Sequence, residues 1–158
     1  MDYTALARAV HVLAVVVWIG GVSMATTVAL PAVRAGKLGP DALQSFQAFE
    51  ARFVWQARTA VVLTGLSGLY MVSQLQLWDQ FKHLQFWWMQ AMVAVWLLFA
   101  LVLFVAEPLF LHRRFERLAH ADPSRAFAWL HRVHWVLLAL SYITIAGAVA
   151  GVHGLSIV

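Results

Sequence analysis

HVLAVVVWIGGVSMATTVAL, residues 11–30, carries a single ionisable side chain, His11, and a Trp18-Ile19-Gly20-Gly21 step behind it. Extended back to Ala5, the run reaches the length of about 20 apolar residues that a helix needs to cross the hydrocarbon core of a bilayer. An ionisable group inside such a span is costly and marks a functional-site candidate, so the reading turns on what His11 faces and binds.

Three more runs of the same kind follow. They place the spans at about 5–30, 54–75, 84–111 and 133–155, which uses most of the 158 residues. The chain is 63% hydrophobic and 11% charged with a mean hydropathy of +0.77, far above the roughly half-apolar composition of soluble domains. These features predict an all-α integral membrane protein, a single up-down four-helix bundle. Asp2 and Thr4 start the first span and Pro31 lies just past its end. Asp41 and the helical spacing of Leu43, Phe46, Phe49 and Phe53 predict a short interfacial helix before the second span. Glu107-Pro108 interrupts the third span near its end, where the proline should kink or loosen the last turn. Asp122-Pro123-Ser124 is a turn and helix-start signal ahead of the fourth.

Lysine and arginine are divided unevenly. Arg8 and Lys82 lie on the side holding both termini, against Arg34, Lys37, Arg52, Arg58, Arg113, Arg114, Arg117, Arg125 and Arg132 on the other. The positive-inside bias therefore predicts both termini outside, on the periplasmic face of a bacterial-type cytoplasmic (inner) membrane. The formal charge of +4 is explained by this topology, and nucleic acid is not an expected partner. Cysteine is absent, which excludes disulfides and thiolate metal sites and leaves His, Met and carboxylate as ligands.

At about 1.5 Å of rise per residue, His11 stands roughly 34 Å from the level of Arg34 and His153 roughly 31 Å from Arg132. The matching depth makes the two histidines candidates for ligating one haem iron from opposite sides. Trp18 and Gly21 share the stripe of His11, while Tyr142, Ala146, Val149 and His153 form a ridge beside Gly147, Gly151 and Gly154. These stripes suit a flat cofactor, and they equally suit plain helix packing. His83 is the alternative second ligand, or a solvated loop histidine. His112 and His134, with Glu107 and Arg58, outline a candidate inner site. For Arg58 and Glu107 a structural ion pair is the first reading and a proton or substrate anchor the second. His120 and His131 read as residues facing lipid headgroups. Met71, Met89 and Met92 add soft ligands that would suit copper.

The pattern His11…Trp18-Ile19-Gly20-Gly21, then Glu50-x-Arg52-Phe53 before Thr64-Gly65-Leu66-x-Gly68-Leu69, resembles the CopD-type copper-resistance membrane domain and the HemJ-type membrane protoporphyrinogen oxidases. The resemblance covers the whole chain and implies a four-helix membrane protein. In the HemJ-type branch it implies b-type haem held through the first-span histidine, here His11. That branch has a lysine early in the third span where this chain has Gln90, which argues against protoporphyrinogen oxidation. The CopD-type branch implies copper handling, although Met-rich outer loops are absent. Two functions follow as expectations: a small membrane cytochrome b transferring electrons near the outer face, or a copper-binding or copper-transfer protein. No catalytic residue is assigned. Membrane lipids, a quinone, a periplasmic redox protein and a second copy of the chain are the candidate partners.

Overall fold

The computed structural model describes residues 2–37, 39 and 42–154, without the side chains of residues 42, 43, 110 and 112. Every regular element in it is helical. Helix α1 runs Tyr3–Arg34 and is π-wound over Ala25–Ala29. Helix α2 spans Ala42–Gln74. After two short 3₁₀ turns, Leu77–Lys82 and Leu84–Phe86, comes α3 over Trp87–Leu101, prolonged by a π-wound segment, Val102–Leu111. Helix α4 covers His112–Ala121 and α5 covers Pro123–Val152.

The helix starts follow their caps. Asp2 accepts from the backbone N–H groups of Thr4 (3.0 Å) and Ala5 (3.2 Å), filling donors that a first turn leaves open. Asp122 accepts from Arg125 N–H at 3.0 Å with Pro123 at the first helical position, where a missing N–H costs nothing. Asp41 lies outside the described residues, as do Leu155 and the end predicted for the fourth span. The separate interfacial helix predicted before the second span is instead continuous with it. Nothing in residues 42–74 breaks a helix, and Phe46, Phe53 and Val61 pack inward along it from the predicted interfacial stretch into the predicted span. The loosening expected at Pro108 takes the form of the π-wound segment, ten residues long.

Among the described residues three stretches, Tyr3–Arg34, Leu84–Leu109 and Pro123–Val152, are long and apolar enough to cross a membrane. Helix α2 has the length, but Arg58, Thr59, Thr64 and Ser67 dilute its apolar character. The burial pattern is inverted relative to a water-soluble domain. Thr26 (0% exposed) and Ser141 (2%) are interior, while Leu13 (64%), Leu66 (62%) and Ile143 (60%) face out. Such an exterior is stable only against lipid or another apolar surface.

Two clusters hold the helices together. At the arginine-rich end, Leu30 and Val33 of α1, Phe46 of α2, Phe115 and Ala119 of α4, and Phe127 and Leu130 of α5 form one core. Helix α4 turns its apolar side into this core and leaves Arg113, Arg114 and Arg117 exposed. Further along, Trp18 of α1, Val61 of α2, Phe99 of α3 and Leu138 of α5 meet in a second core. There the Trp18 and Phe99 rings pack edge to face, 4.8 Å between centroids, a favoured geometry for aromatic pairs.

Candidate functional site

His11 lies two turns beyond Trp18 on α1, toward the N-terminus. Its Nδ1 is 3.0 Å from the Thr64 carbonyl and 3.2 Å from Ser67 Oγ, both on α2. A carbonyl can only accept, so Nδ1 carries the ring proton and donates. Ser67 sends its own hydroxyl hydrogen back to Leu63 O and receives the imidazole N–H on a lone pair. The tautomer follows: in the neutral ring Nε2 holds the free electron pair. Gly68 makes room for this arrangement, because a Cβ there would stand 3.3 Å from His11 Cε1.

Two buried polar atoms on these helices have no partner among the described residues, Trp18 Nε1 on α1 and Thr64 Oγ1 on α2. Trp18 is 3% exposed and Thr64 6%, so both are polar groups held away from solvent, which native interiors rarely tolerate without a reason. With His11, Ser67, Ser141 and Thr144 they make the interior on the N-terminal side of Trp18 distinctly polar.

The other predicted residues are spread along the molecule. His153 caps α5 and directs Nδ1 to Val149 O of its own helix at 2.8 Å. His83 is exposed between the two 3₁₀ turns. Among the described residues no hydrogen bond joins His11, His83 and His153. Tyr142 donates to Ser23 Oγ at 2.9 Å, tying α5 to α1. Gly21 faces the Phe53 ring, and the glycine ridge of α5 is filled by tryptophans, Gly147 by Trp87 and Gly151 by Trp88. Gln90, standing where the HemJ-type pattern has lysine, donates from Nε2 to Phe81 O at 2.8 Å and fastens the 3₁₀ turn to α3.

Toward the arginine-rich end, Arg58 and Glu107 form an ion pair of 2.7 Å. His134 directs Nδ1 to Leu130 O of its own helix at 3.0 Å. The side chain of His112 lies outside the described residues, and with it the proposed meeting of His112 and His134. No group of three or more His, Asp or Glu side chains positioned to hold a metal ion occurs among the described residues.

Sequence reasoning missed two cross-helix contacts that share one cause. In a π-wound segment the N–H of residue i bonds to the carbonyl of residue i−5, as Leu30 N–H does to Ala25 O. The next bond would run from residue 31 to Thr26 O, but residue 31 is proline and has no N–H. His131 of α5 supplies the donor, its Nε2 lying 2.9 Å from Thr26 O. Arg34 Nη1, necessarily a donor, lies 2.9 Å from His131 Nδ1 and so makes Nε2 the protonated nitrogen. In α3 the same rule pairs Pro108 with Leu103 O, and there Arg58 Nε–H donates to that carbonyl at 3.0 Å. A proline inside an apolar run, with a basic residue on a neighbouring helix, was the available signal.

No family model, curated protein or solved structure matches the chain.

Proposed function

We propose that this chain is a b-type haem-binding redox protein of a cytoplasmic (inner) membrane. In this reading it is a four-helix bundle with both termini on the periplasmic side. The nine-to-two division of Arg and Lys supports the orientation. The outward Trp55, Leu66 and Leu69 of α2 and the core that draws one large residue from each of four helices support α2 as the remaining span.

The observation that carries the proposal is the fixed tautomer of His11. Ligating histidines characteristically donate their second ring N–H to a carbonyl or carboxylate, which orients the ring and raises its basicity. Thr64 O and Ser67 Oγ do this for His11. The donor set fits haem better than copper. Copper in a protein site takes most of its ligands from side chains, whereas haem iron draws four nitrogens from the porphyrin and needs only axial ligands. A single well-oriented histidine meets the smaller demand.

Bound haem would supply one-electron chemistry, with the protein setting orientation, burial and ligand strength. His11 would hold the iron through Nε2. His153 is proposed as the second axial ligand, with His83 as the alternative. A quinol and a periplasmic acceptor are the proposed redox partners. Gln90 serves a structural bond in α3 and offers no basis for protoporphyrinogen oxidation.

A reduced-minus-oxidised optical spectrum of the purified protein tests the proposal, with sharp bis-histidine haem bands as the expected result. His11→Ala is expected to abolish haem retention, and normal loading in that variant rejects the reading. His153→Ala and His83→Ala, made separately, identify the second ligand.

A further inference from the structure

The Arg58–Glu107 pair is unusually open for its setting. The two side chains are 22% and 27% exposed, and Arg58 lines a surface groove of about 400 Å³ with Trp55, Thr59, Val62, Leu63 and Phe104. Arg58 sits six residues from Arg52, and Glu107 six residues from Arg113, about 9 Å of helix rise in each case. Trp55, 70% exposed, stands between, one turn from Arg58, at the position of an interfacial aromatic. The groove therefore opens to lipid just inside the arginine-rich surface.

The Arg58 guanidinium is only partly satisfied there. Of the five N–H groups of a guanidinium, one goes from Nε to Leu103 O and one from Nη2 to Glu107 Oε2. Among the described residues the other three have no acceptor and Glu107 Oε1 has no donor. Arg58 brings free donors to the groove, and its partner Glu107, 27% exposed at its edge, carries the free acceptor. The Arg58 guanidinium also lies 5.8 Å from the Trp55 ring and 5.9 Å from the Phe104 ring, which holds it in the groove rather than letting it extend to water.

We infer that this groove binds a phospholipid carrying a phosphoethanolamine headgroup. The phosphate accepts from the free N–H groups of Arg58, the primary ammonium donates to Glu107 Oε1, and an acyl chain lies along Val62, Leu63 and Phe104. Charge complementarity selects this headgroup. A purely anionic one satisfies Arg58 but sets a negative charge beside Glu107, and a quaternary ammonium has no N–H to give. A second groove, of about 330 Å³ between α3 and α5, is lined by Trp87, Val95, Leu98, Leu140 and neighbouring residues with no charged group, and offers no such selection. The inference does not rest on haem.

The test is native mass spectrometry of the delipidated full-length protein titrated with phosphatidylethanolamine, phosphatidylglycerol and phosphatidylcholine of identical acyl chains. The expected result is several-fold stronger retention of phosphatidylethanolamine than of the other two, lost in Thr59→Phe, which fills the groove from its exposed wall. Glu107→Gln, which keeps an acceptor oxygen but loses the charge, is expected to narrow the preference over phosphatidylcholine. Equal retention of the three lipids by the unaltered protein overturns the inference, as does stronger retention of phosphatidylglycerol. Unchanged phosphatidylethanolamine binding in a folded Thr59→Phe variant does so too.

Discussion

The π-wound segments of α1 and α3 solve one problem with opposite chemistry. Each runs into a proline that strips a carbonyl of its partner, Thr26 O in α1 and Leu103 O in α3, and each receives a donor from another helix. In α1 the donor is a neutral imidazole, whose other nitrogen accepts from Arg34 near the helix end. In α3 it is a guanidinium one helical turn deeper than the exposed Trp55, with Glu107 as counter-charge and two aromatic rings beside it. The neutral donor needs no ion pair. The charged one does, because a lone cation at that depth would be unfavourable. What the pair teaches is that a helix irregularity is tolerated where the neighbouring helix can complete its hydrogen bonds, and that depth determines what else must come with the donor.

The larger loss is expected at Arg58. Arg58→Ala removes the donor to Leu103 O and leaves Glu107 unpaired, and is expected to destabilise the protein by about 3 kcal/mol, the low end of the range for splitting a buried pair, because this one is only partly buried. Unfolding in detergent, followed by circular dichroism, reads this directly. A loss no greater than that of an exposed surface pair would sink the account. His131→Ala leaves the neutral Thr26 carbonyl without its partner and returns the exposed Arg34 to solvent, and is expected to cost about 1–2 kcal/mol.

A sharper test restores the missing N–H. In a Pro108→Ala background Leu103 O regains a backbone donor, so Arg58→Ala should cost about 1 kcal/mol less than in the unaltered protein, a coupling that a double-mutant cycle isolates. Additive effects would show that the proline is not the reason Arg58 points where it does. The corresponding cycle between Pro31→Ala and His131→Ala should show a smaller coupling, about 0.5 kcal/mol, since a neutral hydrogen bond near the helix end is at stake.

Much of the architecture was readable because it depends on local chemistry. The caps at Asp2 and Asp122, the apolar runs and the disturbance at Pro108 follow from neighbours in sequence. The Arg58–Glu107 pair was also legible, since two opposite charges in apolar runs near the same surface have few other partners. What did not show was the identity of distant neighbours. Glycine spacing revealed a smooth ridge on α5 but not that Trp87 and Trp88 fill it. His11 announced itself by its cost in an apolar run, yet nothing near it in sequence pointed to Thr64 and Ser67. His131 read as a headgroup-facing residue because its role depends on a carbonyl 105 positions away, exposed only once the backbone of α1 widens. Continuity across residues 42–74 was obscured by Glu50 and Arg52, polar residues that look like an interfacial break but do not interrupt helical geometry.

The two tryptophans that fill glycine positions of α5 have one further consequence. Gly147 and Gly151 are four residues apart, so α5 viewed alone could slide along α3 by one turn, about 5.4 Å, and present glycine to an indole again. With Trp87 at Gly147 and Trp88 at Gly151, that slip moves one indole onto a glycine and the other off the ridge. In one direction it drives Trp87 onto the branched side chain of Ile143. The paired indoles act as a vernier: two marks coincide at a single setting, and the axial alignment of α3 and α5 is unique although the glycine spacing by itself repeats.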